Sequence, residues 1–415
     1  MEEIAFLRAM RGDLGDDLPW LAYADWLDEH DHTDAAEYLR TCIAAHQSEQ
    51  VGIDAADLRR ESGRLIANRA GDRWQIGEPA PGIGELDYDP RGLIRRVVLD
   101  GPMGLDALGA LIRRHPIRAV SCRDRYAPDR FRWLSRDMDR LRDLLTHGIR
   151  VLTIQSGYSF PVSPETIEQL FIRGPVLDQL TSIGIDGACQ LGESLVRLAR
   201  SPQVPQLTEL SLTRCAATIE NLGPLLADSA SRHIRAWTLD TCEEPQQLAE
   251  RFLTAPYLER VQSLTLGRLL TDAMLPRLLN GSRLTTLHEL GLSGFVQDTF
   301  VSELAWSPRL ERLTALRFGH HRTQPMDATA VIELITAPAA RKLRTLTIPF
   351  PGVGDIIIDI LMRSDVLPQL ESLTVSDITT GREQALLESP YRERLRELIV
   401  QGRRQGIFRR MSHGW

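Results

Sequence analysis

An apolar-x-x-apolar-x-apolar signature returns along most of this 415-residue chain, and it restricts the fold more than any other feature. Its clearest copies are Leu207-x-x-Leu210-x-Leu212, Val261-x-x-Leu264-x-Leu266 and Leu287-x-x-Leu290-x-Leu292. Three more are Leu343-x-x-Leu346-x-Ile348, Leu370-x-x-Leu373-x-Val375 and Leu395-x-x-Leu398-x-Val400. Weaker copies begin at Ile94, Ile117, Ile149, Leu180, Ile234 and Leu313. The twelve copies start 23 to 32 residues apart, and seven of the eleven steps are 25 to 27. A unit this short cannot bury its own apolar stripe, so neighbouring units must shelter one another along a stack.

The signature itself predicts a short strand, and the segments between copies predict helices. Runs such as "PQQLAERFLTAPYLER", "QDTFVSELAWSPRLER" and "MDATAVIELITAPAARK" carry apolar residues three or four apart, as a helix with one buried stripe requires. Asp298 and Asp327 stand where N-caps fall. Pro202, Pro256, Pro308, Pro338 and Pro390 follow the helical runs, where the missing amide hydrogen stops the helix. The expected fold class is α/β, a solenoid with a parallel sheet inside and helices outside. The pattern resembles leucine-rich repeats of the longer, ribonuclease-inhibitor-like kind. That resemblance implies a horseshoe of about twelve repeats over residues 94–402. It also implies a buried structural role for Cys215 and Cys242, which both fall eight residues after their repeat's first apolar position.

Residues 1–50 precede the period and break it. The stretch "PWLAYADWLDE", Pro19 to Glu29, places Trp20, Tyr23 and Leu27 on one helical face, with Trp26 turned about 120° from Trp20. Asp16 and Asp17 offer caps at the helix start. Aromatics at this spacing predict a small helical module packed on its own rings, with docking as a second use. Asp25, polar among aromatics, is expected to bond a neighbouring backbone amide. The segment is similar to the repeat-companion domain that heads many bacterial leucine-rich-repeat proteins. Phe6-Leu7, Asp16-Asp17, Pro19 through Glu29 and Ala36-Glu37-Tyr38-Leu39-Arg40 carry that resemblance over about an eighth of the chain. Trp20 stands where arginine is commoner. The resemblance implies an architecture and no reaction. The expected division is a helical repeat-companion domain (1–50), a transition and capping region (51–93), the solenoid (94–402) and a basic C-terminal tail (403–415).

Function classes narrow next. A net charge of −7 argues against a general nucleic-acid binder. The acidic start lacks the basic region of a signal peptide, and no apolar run is long enough to span a bilayer, so a cytoplasmic location is expected. Five scattered cysteines, Cys42, Cys122, Cys189, Cys215 and Cys242, suit reduced thiols. The phosphate-cradling, zinc-protease, redox-pair and nucleophile-elbow motifs are all missing from the sequence. Asp28-Glu29-His30-Asp31-His32 and His320-His321 lack the further ligand spacing a metal site needs. The expectation is therefore no catalytic residue, no cofactor and no metal.

What remains is recognition of another protein, of unspecified identity, by a chain whose oligomeric state the sequence leaves open. The middle strand positions read Val98, Ser121, Thr153, Gly184, Ser211, Thr238, Thr265, Gly291, Arg317, Thr347, Thr374 and Ile399, small or hydroxylated for the most part. Contact anchors, which favour Trp, Tyr and Arg, are expected instead at Tyr126, Phe131 and Trp133 in the Arg-dense insertion, at Arg123 and Arg317, and at Trp20. Ile407, Phe408 and Trp415 are expected to cover the solenoid's last edge, with Arg403, Arg404, Arg409 and Arg410 towards water. Two readings of other classes stand beside this one: an enzyme with carboxylates near Asp25–Asp34, and nucleic-acid binding through the Arg-rich insertion and tail.

Overall fold

The computed structural model describes residues 2–12, 15–51, 53–67, 74, 80–123, 134, 136–155, 179–187, 191, 206–215, 219–227, 232–240, 245–255, 258–267, 277–278, 283–293, 296–319, 326–363, 365–401 and 408–412. The chain divides into two compact units, Met1–Gln190 and Leu191–His413. Both are α/β, built on a mostly parallel sheet whose strand order follows chain order.

The first unit begins with four helices, α1 (Glu2–Gly12), α2 (Leu18–Glu29), α3 (Thr33–Gln50) and α4 (Ala56–Leu65). α2 starts where the carboxylate of Asp16 accepts the Leu18 amide at 2.8 Å. Its Trp20, Tyr23 and Leu27 are at most 1 % exposed and form one core with Leu7, Met10, Leu39, Ile43, Trp74 and Leu93. Five strands follow: β1 (Ile83–Tyr88), β2 (Ile94–Leu99), β3 (Ala119–Arg123), β4 (Val151–Gln155) and β5 (Ser182–Asp186). α5 (Gly104–Ile112) and α6 (Met138–Leu145) lie between them in sequence. β2 to β5 are parallel, with Val97, Val120, Leu152 and Ile183 in one register row and Val98, Ser121, Thr153 and Gly184 in the next. β1, which lies outside the repeat signature, pairs antiparallel with β2 and closes the sheet's first edge.

The second unit carries β6 (Glu209–Thr213), β7 (Ala236–Asp240), β8 (Ser263–Leu266), β9 (Glu289–Leu292), β10 (Ala315–Phe318), β11 (Thr345–Ile348), β12 (Ser372–Ser376) and β13 (Glu397–Gln401), all parallel. Leu210, Trp237, Leu264, Leu290, Leu316, Leu346, Leu373 and Leu398 share one register row. Each is at most 4 % exposed. Every repeat copy identified in the sequence thus supplies one parallel strand. β14 (Phe408–Ser412) runs antiparallel to β13 and covers the last edge, as a backbone strand.

Among the described residues, the helices of this unit are α7 (Ile219–Ala227), α8 (Pro245–Thr254), α9 (Asp298–Ala305), α10 (Ala328–Thr336), α11 (Gly354–Arg363) and α12 (Thr380–Glu388). After α10 and α12 the chain tightens into single 3₁₀ turns that begin at Pro338 and Pro390, where proline can start a turn but not continue a helix. Asp327 caps α10 as expected, accepting the Thr329 amide at 3.0 Å. Asp298 differs from expectation: Gln297 holds the cap position of α9. The Asp298 carboxylate instead accepts the Asp327 amide of the next repeat at 2.9 Å. Asp355, second residue of α11, repeats the arrangement, accepting the Thr379 amide at 2.8 Å. These two carboxylates tie the starts of α9 and α11 to the starts of α10 and α12.

Candidate interaction surface

Strand alternation sends one set of side chains into the core and the other to the open face of each sheet. The middle row of that face in the second unit runs Ser211, Thr238, Thr265, Gly291, Arg317, Thr347, Thr374 and Ile399, in unbroken register. Gly291 in this row, and Gly267 directly after β8, are required by their neighbours. A Cβ on Gly291 would lie 2.5 Å from Thr265 Oγ1, and one on Gly267 would lie 1.7 Å from Asp240 Oδ1. Side chains of one strand therefore lean over the backbone of the next, and the face stays shallow.

Its arginines are engaged. Arg317 pairs with Glu289 at 3.1 Å, and the same carboxylate accepts the Ser263 hydroxyl at 3.2 Å. Arg123 pairs with Asp100 at 2.9 Å and reaches Glu85 of the antiparallel edge strand at 3.7 Å. Such pairs contribute little to stability at a wet surface, but each guanidinium has its counter-charge. A partner must compete with them to use either guanidinium.

Tyr126, Phe131 and Trp133 lie outside the described residues. Trp20 requires a correction: it is 1 % exposed and offers no surface. The Arg91 guanidinium lies over its ring, 4.5 Å from the centroid. Arg91 is itself buried against Asp89 at 2.7 Å and reaches Asp17 at 3.2 Å. Trp20 is thus half of a cation–aromatic latch between α2 and the turn after β1.

The helical module has its own polar hub. Arg40 on α3 donates to Asp25 at 2.7 Å and to Asp28 at 2.5 Å, joining the two halves of the Tyr-Ala-Asp-Trp signature. Asp25 thus binds a guanidinium, where a backbone amide was expected. Trp26 stacks on Tyr23 and on His30, the latter at 4.2 Å, and His30 Nδ1 meets the Trp26 carbonyl at 2.8 Å. Tyr23 donates to Glu3 at 2.6 Å. These contacts engage Asp25, Asp28 and His30 of the acidic stretch in packing and in one ion-pair hub. Among the described residues no group of three His, Cys, Asp or Glu side chains is placed to hold a metal ion. His320 and His321 lie outside them.

One cleft of about 510 Å³ opens in this unit, lined among others by Tyr38, Cys42, Arg59, Tyr88 and Gly92. Its chemistry is quiet. Burial raises the Cys42 thiol, with the Tyr38 and Ser62 hydrogen bonds opposing. Burial raises the Tyr38 phenol as well, and that hydroxyl donates to the Gly92 carbonyl at 2.9 Å. Arg59 is held by Glu49 and by the Pro90 carbonyl, both at 2.7 Å. A neutral thiol without a base is a poor nucleophile. Cys122 is more inert still, pushed up to about 12 by burial. Cys215 is buried and donates to the Thr213 carbonyl at 3.3 Å, the turn-bonding role expected for it; Cys242 lies outside the described residues.

No protein-family model matches the chain, and no curated protein matches it.

Two buried groups of the first unit escaped the sequence reading. Arg11, 5 % exposed, donates to the carbonyls of His147 at 2.6 Å, Ile112 at 2.6 Å and His115 at 3.0 Å. It thereby satisfies acceptors left over where α5 ends and where the turn after α6 closes. Burial, with Arg8 adding to it, lowers this guanidinium to about 10, so it is still charged at neutral pH. His115, fully buried, accepts the Ile94 amide at Nδ1 (3.3 Å) and meets the Trp74 carbonyl at Nε2 (2.8 Å). No local pattern marks either residue, because their partners are far away in sequence.

Proposed function

We propose that this chain is a leucine-rich-repeat solenoid, a ribonuclease-inhibitor-like horseshoe headed by a repeat-companion module, and that it recognises or scaffolds another protein without catalysis. The single observation that carries the reading is the unbroken register of Leu210 through Leu398, one repeat per strand, beneath an open face of mostly small side chains. An architecture that spends its sequence on an extended surface suits binding. The quiet thiols of the first unit, and the engagement of Asp25 and Asp28 by Arg40, support the non-catalytic half. No helix among the described residues is long and apolar enough to cross a membrane. The contacts are assigned to the first unit, with Tyr126, Phe131 and Trp133 as aromatic anchors and Arg123 beside them.

Affinity purification of the full chain from its native cells, with nuclease treatment, tests this. The expected outcome is a protein recovered in near-stoichiometric amount, weakened by Tyr126→Ala with Trp133→Ala and unaffected by Thr265→Ala with Thr374→Ala. Recovery of nuclease-sensitive material alone, or of a metal together with turnover, would overturn the reading.

A further inference from the structure

Charge is distributed unevenly along the chain. Residues 1–57 hold fourteen Asp and Glu against three Arg, a net −11, where the whole chain carries −7. Residues 58–415 are therefore net +4. The three arginines do little to neutralise the outer surface, and three more from beyond the stretch, Arg59, Arg60 and Arg91, pair with its Glu49, Asp57 and Asp17, so a net of −8 remains when they are included. Arg11 is buried, and Arg40 is committed to Asp25 and Asp28.

The same module exposes aliphatic side chains in one place. Leu18 is 68 % exposed, Leu21 37 %, Val51 71 % and Ile53 62 %, half of the eight large apolar residues that are exposed among the described ones. Leu18 and Leu21 lie one turn apart on α2, off the face that buries Trp20, Tyr23 and Leu27. Gln47 on α3 donates to Asp17 at 2.9 Å, which fastens the first turn of α2 to the last turn of α3. Val51 and Ile53 follow that turn directly, their amides bonded back to the Gln47 and Ser48 carbonyls. The rim is acidic: the carboxylates of Asp16 and Asp54, both exposed, accept the Leu18 and Ala56 amides, and Asp57, 90 % exposed, pairs with Arg60.

Aliphatic side chains held in water inside an acidic rim match one kind of occupant. We infer that this face of the helical module docks a basic, amphipathic segment of the protein partner, its apolar side chains on Leu18, Leu21, Val51 and Ile53 and its Lys or Arg on the surrounding carboxylates. Phosphate-bearing partners are repelled by the same charge, whether nucleic acid or anionic lipid. The inference rests on the recognition reading above and places the contact on the module.

Two experiments on the full chain separate the possibilities. First, a labelled helical peptide with Leu on one face and Arg on the other is titrated by fluorescence anisotropy, beside the same peptide with Glu for Arg. Leu18→Ser with Val51→Ser, both at exposed positions, should weaken the Arg peptide about tenfold or more. The Glu peptide should not bind, and added salt should weaken the Arg peptide. Absence of saturable binding, or equal binding by the variant or by the Glu peptide, overturns the inference. Second, a photo-crosslinking side chain is placed at Leu18 or at Thr265 in native cells. Adducts at Leu18 to net-basic segments of one partner support it. Adducts at Thr265 alone overturn it and leave the recognition reading standing, as do adducts at Leu18 to a second copy of this chain. No protein adduct at either position overturns both.

Discussion

The buried ring of His115 makes stability depend on pH in a window that can be stated in advance. In the fold Nδ1 accepts from Ile94 and Nε2 faces the Trp74 carbonyl, so the bonding assigns a neutral ring protonated at Nε2. A second proton would set a donor at Nδ1 against the Ile94 N–H and place a charge where no water reaches. Burial, with Arg114 contributing, lowers the imidazole from 6.5 to about 4, against the Trp74 bond. Below pH 6.5 the unfolded chain takes up a proton that the folded one refuses. The contribution is therefore complete above 6.5, shrinks as pH falls towards 4, and is lost below. At about 1.4 kcal/mol per pH unit this amounts to about 3 kcal/mol, a large share of an ordinary domain's 5 to 15 kcal/mol, roughly. His115→Gln can keep a donor and an acceptor at the site but cannot titrate. Urea unfolding, followed by hydrogen exchange in peptides from α1 to β2, should show the native protein losing stability between pH 6.5 and 4 more steeply than the variant. Other titrating groups act alike in both and cancel in the difference. Nitrogen NMR of the ring should show a neutral Nε2–H imidazole at pH 5. Parallel pH profiles, or a ring that titrates near 6.5, would refute the argument.

Two further outcomes follow from neighbouring contacts. Arg11→Met leaves the His147, Ile112 and His115 carbonyls without their shared donor. It should cost about 3 kcal/mol in urea unfolding of the first unit, and Arg11→Lys should recover only part of that because an ammonium lacks the fork. Gly92 sits at φ +100°, where a Cβ would lie 2.7 Å from Tyr38 Oη and 2.9 Å from Cys42 Sγ. Gly92→Ala should lower stability by about 2 kcal/mol or more, read as a fall of several degrees in Tm; an unchanged melt would show that the turn relaxes.

The repeat was legible because its constraint is periodic. Leu210, Leu264 and Leu346 must meet the same sheet row, so the sequence writes the same residue type at the same interval, and even the weak copy at Ile94 can be aligned. β1 was not legible, although Asp89-Pro90-Arg91-Gly92 after it is a turn by composition. It occurs once, outside the period, and pairs antiparallel where the repeat predicts parallel neighbours. Trp20 was misread for a related reason. Helical spacing says which residues share a face, not whether that face meets a core or a partner, and here the deciding residue is Arg91, some seventy positions away.

The same logic explains why candidate surfaces are harder to read than folds. Core rows are held by every repeat at once, so a change at Leu346 is felt by its neighbours on both sides. Open-face residues such as Thr265 and Thr347 need only fit over the adjacent strand, and Gly291 shows how local that requirement is. A face specified so weakly by folding is free to be specified by binding, yet it repeats the same small side chains from strand to strand. One place that breaks uniformity is the helical module, where folding does not ask for Leu18 and Val51 to face water beside Asp16 and Asp54. Folding would be served as well by polar side chains there, so the reason for these aliphatics has to be sought in what they touch.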